Sequence, residues 1–342
     1  MEQHQETPIV FERIAKEILI ANRFHIIVDE VRAVNFIAEL NKVRWATEVK
    51  YYRSATAQLS LMENAATTLI NNAKPLPVEK AMLIVSCYLP PEMREMLEAR
   101  FPILFVDRLD LTIWAAKNAS LSRDLEMVFD DPLGKTTTTD NRSKRTSTTA
   151  TRKAPQLPKE LPEKKEQGAA LCKSLDKIES GHASWTQFES ICRDALQYLF
   201  EDHLVGWVRQ NRTDDGLNIF DLVCRVKPAS AFWQFIVDQI DSRYVVFEFK
   251  NYSAAIKKYQ ILTTECYLLE KALRKTAIVI TRKGADDGAK GAIAGAMREQ
   301  GKLILVLDDE DICEMLKKKD GGDDPSDYLF KKADDFLLSL SR

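Results

Sequence analysis

Apolar residues recur every three or four positions at the start of the chain. Phe11, Ile14, Ala15, Ile18 and Leu19 mark one face of an amphipathic helix, and Thr7-Pro8 reads as its cap and first-turn proline. Strand-like runs follow at 24–28 (FHIIV), 34–40 (VNFIAEL) and 44–51 (RWATEVKY), and a helical pattern covers 56–72. The run 81–87 (AMLIVSC) predicts another strand, Pro90-Pro91 opens a helix over 90–100, and strand 103–106 and a helix near 109–118 close this half.

The second half replays that order. Phe188, Ile191, Cys192, Ala195 and Leu196 keep the spacing of Phe11, Ile14, Ala15, Ile18 and Leu19, with Glu189 matching Glu12. Strand 217–226 (LNIFDLVCRV) precedes strand 244–250 (YVVFEFK), with a short helix (AFWQFIVDQI) between them. Helix 255–274, strand 276–282, a helix over 285–299 and strand 302–307 follow. Asp107 and Asp110 have counterparts in Asp308 and Asp311, each pair after an apolar strand; a final helix near 325–340 has none. A duplicated α/β domain is the economical reading: residues 1–130 and 169–342.

Between the halves, 131–168 is rich in Thr, Ser, Lys and Pro, with 9 Lys and Arg against 5 Asp and Glu. It has too little apolar surface to offset its ordering entropy and reads as a flexible basic linker. Gly134-Lys135-Thr136 is no phosphate loop, because Phe129 stands where the first glycine belongs. The whole chain carries a formal charge of -2, so it is no uniformly basic nucleic-acid binder. Six cysteines without CxxC spacing, mostly in apolar runs, predict buried reduced thiols and no zinc site. A polar N-terminus and the lack of any run of about 18 apolar residues predict a soluble, cytoplasmic protein without a membrane span.

Two tripeptides sit at the ends of apolar strands: Glu48-Val49-Lys50 and Glu248-Phe249-Lys250. Alternation sends Glu248 and Lys250 to one face and Phe249 to the other. Asp221 lies in the preceding apolar strand, where an unpaired carboxylate costs several kcal/mol. Two such carboxylates on neighbouring strands repel unless a proton or cation lies between them. Oxygen ligands of this kind suit Mg²⁺, and Lys250 beside them would position or deprotonate a water, or offset charge on a phosphate. An isolated ExK tripeptide is more often a strand-edge salt bridge. Asp221, Glu189 and the duplicate favour a site.

A helix with Phe-Glu, a strand with Asp, a strand ending ExK and a helix carrying Gln together resemble the PD-(D/E)xK restriction-endonuclease-like superfamily, in its Mrr-like branch. The resemblance spans about 11–118 and 185–316 and implies two tandem restriction-endonuclease-like α/β/α domains, each with a central mixed sheet flanked by helices. By it, Asp221 and Glu248 become ligands of Mg²⁺, with Mn²⁺ as a substitute, Lys250 the catalytic lysine, Glu189 the helix glutamate and Gln260 a helix glutamine. Asp214 and Asp215 rival Asp221 for the first acid, but they precede Gly216 in what reads as a turn. The implied activity is metal-dependent endonucleolytic hydrolysis of DNA, by analogy in bacterial restriction or antiphage defence. Tandem nuclease domains without a motor imply a homodimer or a partner ATPase. The other reading is a DNA-binding or scaffold subunit that keeps the fold without cutting.

The same mapping in the first half gives Glu12, Glu48, Lys50 and Gln58, but Asn35 stands where an aspartate is expected as a metal ligand. Three readings stay open: a degenerate domain that only binds DNA, an engineered inactivating change, or replacement by Asp29. Lys42, Arg44, Arg53 and the linker bases Arg142, Lys144, Arg145, Arg152 and Lys153 are candidate phosphate contacts, with a solvated surface as the equal alternative. Trp45, Tyr51 and Tyr52 are read as packing rather than base-stacking residues. The four histidines form no cluster.

Overall fold

The computed structural model describes residues 3–31, 33–129, 166–212 and 219–341. The linker up to residue 165, with its five candidate phosphate contacts, and the rival pair Asp214 and Asp215 lie outside the described residues. The chain divides into two compact units, 1–165 with 321–323, and 166–320 with 324–342.

The first unit runs α1 (Gln3–Ala21), β1 (His25–Val31), β2 (Val34–Leu40), β3 (Val43–Lys50), α2 (Leu59–Ala73), β4 (Lys80–Val85), α3 (Pro91–Arg100), β5 (Leu104–Val106), α4 (Arg108–Ala115) and α5 (Ala119–Phe129). Its sheet has the order β1-β2-β3-β4-β5; the first two pairings are antiparallel and the last two parallel. The β2–β3 hairpin turns on Asn41 and Lys42, both at positive φ, the conformation that two-residue hairpin loops require. Alternation then sorts the strand residues. Trp45 and Val49 face a core shared with α1, α4 and α5, whereas Ala46 faces one shared with α2.

The second unit begins with α6 (Gln167–Asp176) and α7 (Trp185–Phe200). It continues through β6 (Leu204–Arg212), β7 (Ile219–Val226), α8 (Ala231–Asp238), β8 (Tyr244–Lys250), α9 (Lys258–Cys266), β9 (Thr276–Thr281), α10 (Asp287–Gln300), β10 (Leu303–Leu307), α11 (Asp309–Asp320) and α12 (Ser326–Ser339). Its sheet order β6-β7-β8-β9-β10 has the same sequence of antiparallel and parallel pairings. Val245, Phe247 and Phe249 pack toward α7, α8, α11 and α12. Val246 packs toward α9 and α10. Glu248 and Lys250 therefore share the α9 face.

Several elements depart from the sequence expectations. α1 starts at Gln3, so Pro8 lies inside the helix, where its missing N–H removes one bond near an open end. β6 escaped notice because Gly206, at φ 66, and a register shift between Val205 and Val208 break its alternation; β1 has a shift at the matching place. The pattern over 255–274 resolves into α9 and a 3-10 turn, Glu270–Ala272. The aspartate pairs are reciprocal helix caps: Asp107 accepts the Asp110 N–H and donates its own to Asp110, and Asp308 does the same with Asp311.

The cysteine expectation is corrected as well. Cys172 on α6 and Cys313 on α11 form a disulfide, and Cys266 is exposed; only Cys87, Cys192 and Cys224 are buried free thiols. The two bridged helices meet closely at Gly168, where a Cβ would stand 2.6 Å from the Leu316 carbonyl oxygen. Asp320 caps α6 there, accepting the Gly168 and Ala169 N–H groups at 3.0 and 2.9 Å. Among the described residues no helix is long and apolar enough to cross a membrane.

Candidate active site

In the second unit, β7 and β8 pair Leu222 with Phe247 and Val223 with Val246. The next positions along that register are Asp221 and Glu248, which fall on one face. Asp221 Oδ2 accepts the Phe249 N–H at 2.9 Å, which fixes the carboxylate against the partner strand. Lys250 Nζ donates to Glu248 Oε2 at 2.8 Å. Glu248 is 2% exposed, and its second oxygen, Oε1, is buried without a hydrogen-bond partner.

Burial pushes the Glu248 carboxyl up, Lys250 pulls it down, and the Asp221 charge pushes it up while the Asp221 backbone N–H pulls it down, leaving it at about 7. Burial works against the Lys250 ammonium, but Glu248 and Asp221 outweigh it and raise the group above its usual range. Lys250 thus holds its proton at neutrality. An ammonium can orient a water and stabilise a phosphate; it is no base. Two carboxylates, one with a buried oxygen that lacks a hydrogen-bond partner, are a hard-oxygen donor set that fits Mg²⁺, which takes one or two carboxylates and fills its other positions with water and phosphate.

Glu189 on α7 is buried at 5% exposure but does not close with these two into a three-carboxylate group. Among the described residues the one group of three ligand-type side chains is Cys172, Asp176 and Cys313, whose sulfurs are bonded to each other. Gln260 turns its Oε1 to the Lys257 N–H at 2.9 Å, capping α9. Tyr267, at the end of α9, escaped the sequence reading. Burial raises its phenol, and Glu248, Lys250 and Asp221 all act on it electrostatically. No sequence signal links it to Glu248; the fold of α9 over that face does.

The first unit repeats the arrangement with differences at the amide and at the lysine. Asn35 lies one residue beyond the β2–β3 pair Phe36 and Thr47, and its Oδ1 accepts the Val49 N–H at 2.9 Å, as Asp221 accepts that of Phe249. Where Asp221 has a second oxygen, Asn35 has Nδ2, which donates to Glu12 Oε2 at 2.7 Å. Glu12 also pairs with Lys16 at 2.8 Å, and Lys16 with Asp29 at 2.6 Å. Asp29 is thus tied to a lysine. Lys50 lies 3.6 Å from Glu48 and 2.8 Å from Asp323, which belongs to the first unit. Burial raises the Glu48 carboxyl against the pull of Lys50. Gln58 occupies the N-cap position of α2. Trp45 and Tyr52 are buried and Tyr51 packs against the core, in keeping with their reading as packing residues. Lys42 sits in the hairpin turn and Arg44 pairs with Glu39 at 3.6 Å.

No family model matches the chain. Over 78 residues it is 31% identical to the "Putative transposon gamma-delta 80.3 kDa protein" of Escherichia coli (strain K12), a stretch covering 23% of this chain and 11% of that protein. Among solved structures it is similar to the DNA modification-dependent restriction endonuclease AspBHI, with a TM-score of 0.27 and 16% identity, over 54% of this chain and 46% of that one. The chain therefore spans under half of either protein.

Proposed function

We propose that the second unit is a metal-dependent endonuclease of the restriction-endonuclease-like kind, hydrolysing DNA phosphodiester bonds at Asp221, Glu248 and Lys250. The observation that carries this is the buried, unpartnered Oε1 of Glu248 beside Asp221, on the strand end that also presents Lys250. A native fold tolerates such an oxygen poorly, and a dication between the two carboxylates would relieve it.

Asp221 and Glu248 would hold Mg²⁺, or Mn²⁺ in its place, which supplies Lewis acidity toward a phosphate oxygen and a bound water. Lys250, kept protonated by its neighbours, orients the attacking water and offsets the charge that builds on the phosphoryl oxygens. One P–O bond forms to the water oxygen and one breaks to the departing sugar oxygen. The products are a phosphomonoester end and a hydroxyl end. Glu189, buried on α7, and Gln260, whose Oε1 accepts the Lys257 N–H, would flank this pair as the helix glutamate and helix glutamine that the resemblance implies.

For the first unit we favour binding without cleavage. Glu12, Glu48 and Lys50 are kept, but Asn35 offers Glu12 an N–H where a ligand oxygen would be needed. A part in restriction or antiphage defence, and a homodimer or partner ATPase, follow from the resemblance alone.

The test is incubation of the full chain with supercoiled plasmid and Mg²⁺ or Mn²⁺, read for nicked and linear product. Metal-dependent cutting should vanish in Asp221→Ala and Glu248→Ala. Cutting at the parent rate by Glu248→Ala would sink the proposal.

A further inference from the structure

Beyond Lys250 the chain runs through Tyr252, Lys257, Lys258 and Tyr259 into α9. Tyr252 is 44% and Tyr259 67% exposed, and both lysines are exposed. The stretch is anchored: Ile256 is buried, its N–H donates to the Gly284 carbonyl at 2.9 Å, and its own carbonyl accepts the Asp286 N–H at 3.0 Å.

A second segment is tied to the same strand end by Asn251. Its Nδ2 donates to the carbonyls of Glu179 and Gly181 at 3.0 and 2.9 Å, and its own carbonyl accepts the Gly181 N–H at 2.8 Å. Gly181 sits at φ +123, which suits a residue without a Cβ. Four residues later Trp185 opens α7, 45% exposed, with the His182 ring 6.3 Å away. Asn251 itself is 6% exposed, and its Oδ1 is buried without a partner.

Single exposed aromatics are ordinary on a protein surface. Here three flat rings stand on two anchored segments that are hydrogen-bonded together just past Lys250, with two lysines between two of the rings. Nucleic-acid strands are held by that combination, rings against base faces and ammonium groups against phosphates. We propose that Trp185, Tyr252 and Tyr259 stack unpaired bases while Lys257 and Lys258 hold the adjoining phosphates. The substrate class is then nucleic acid whose bases are exposed beside the bond to be cut. This rests on the nuclease reading only in supposing that the same strand crosses the Glu248 site. An exposed base comes either from a single strand or from a nucleotide swung out of a duplex.

The test uses the full chain in EDTA, titrated with (dT)20 and, separately, with a blunt-ended, fully paired duplex, followed by tryptophan fluorescence and by anisotropy of labelled DNA. Stacking on Trp185 should quench fluorescence, and Trp185→Ala and Tyr252→Ala should each weaken (dT)20 binding by about 5- to 150-fold. Lys257→Gln with Lys258→Gln should reduce the slope of log K against log salt by about 1.4. Quenching by (dT)20 alone identifies a single strand as the source, and equal quenching by the duplex a swung-out base. Parent-like (dT)20 affinity in both aromatic variants overturns the proposal. A parallel Mn²⁺ cleavage assay separates the two ideas. Quenching without any cutting removes the nuclease reading and leaves the platform; cutting with parent-like binding in both aromatic variants does the reverse.

Discussion

Asp221 Oδ2 accepts the N–H of Phe249 at 2.9 Å, one residue beyond the β7–β8 pair Leu222 and Phe247 and beside Glu248. That single bond turns the carboxylate toward its neighbour. Glu248 is buried, its Oε1 lacks a partner, and burial first, with the Asp221 charge after it, holds its proton to about pH 7. A site of this kind trades stability for readiness to bind a cation.

The first prediction follows from that trade. Glu248→Gln removes the buried charge, and its amide can accept from Lys250 and donate to Asp221. In EDTA near pH 8 the variant should be more stable than the parent by about 1–3 kcal/mol in urea unfolding. It should also lose Mn²⁺ binding and plasmid cutting. A variant less stable than its parent would mean that Glu248 is a structural ion pair and nothing more.

A pH dependence follows with a definite sign. The folded carboxyl titrates at about 7 against 4.5 unperturbed, so between those values the folded state binds more protons than the unfolded state. Stability from this group is full below 4.5 and is lost as pH rises through about 7, on the order of 3 kcal/mol without metal. His203 opposes it. Buried between Phe200 and Trp233, it is held below its usual range, so its contribution is lost as pH falls below 6.5. Comparing the parent with Glu248→Gln isolates the first effect. Mn²⁺ competes with the proton, so calorimetric affinity should climb with pH and level off above about 7. Affinity that is flat across that range would place the metal elsewhere.

Much of this architecture is legible in the residues because local rules agree with the fold. The α9-face alternation of Val246, Glu248 and Lys250, and the matching helix spacings of Phe11 and Phe188, hold without knowledge of any contact. What escaped is non-local or irregular. β6 hides behind Gly206 and a register shift, and Tyr267 reaches the carboxylates only because α9 folds over that face. Gln260 is a candidate site residue by the resemblance, and a glutamine at the third position of a helix also caps it, as its Oε1 does here for the Lys257 N–H. Cys172 and Cys313 lie 141 residues apart and could not be paired from spacing.

That bridge gives the third prediction. It joins α6 to α11 across a long stretch of chain, for which loop entropy gives about 5 kcal/mol as an upper value and engineered cases about 2–4. Dithiothreitol should lower the urea midpoint of the full chain. Cys172→Ser with Cys313→Ser should show the lowered midpoint at once and no further response to reductant. An unchanged midpoint in both experiments would mean that packing around Gly168 holds the helices alone.

The last prediction concerns the first unit and turns on one atom. Asn35 Oδ1 accepts the Val49 N–H, as Asp221 Oδ2 accepts the Phe249 N–H, so the two side chains hold the same place in their sheets. Asn35 Nδ2 then donates to Glu12, satisfying a carboxylate that Lys16 also neutralises. Asn35→Asp replaces that donor by an oxygen facing Glu12, with Glu48 nearby. Without metal the variant should be destabilised by about 1–3 kcal/mol, the cost of a lost charge-assisted hydrogen bond and a new repulsion. With Mn²⁺ the loss should reverse, and in a Glu248→Ala background calorimetry should report a new binding event that the second unit cannot supply. Plasmid nicking by that double variant would show that the first unit lacks only this oxygen. Metal binding without nicking would mean that the unit has lost more of its chemistry and serves to bind. If neither stability nor metal affinity responds to Mn²⁺, Asn35 is not the missing ligand, and the correspondence with Asp221 is one of folding alone.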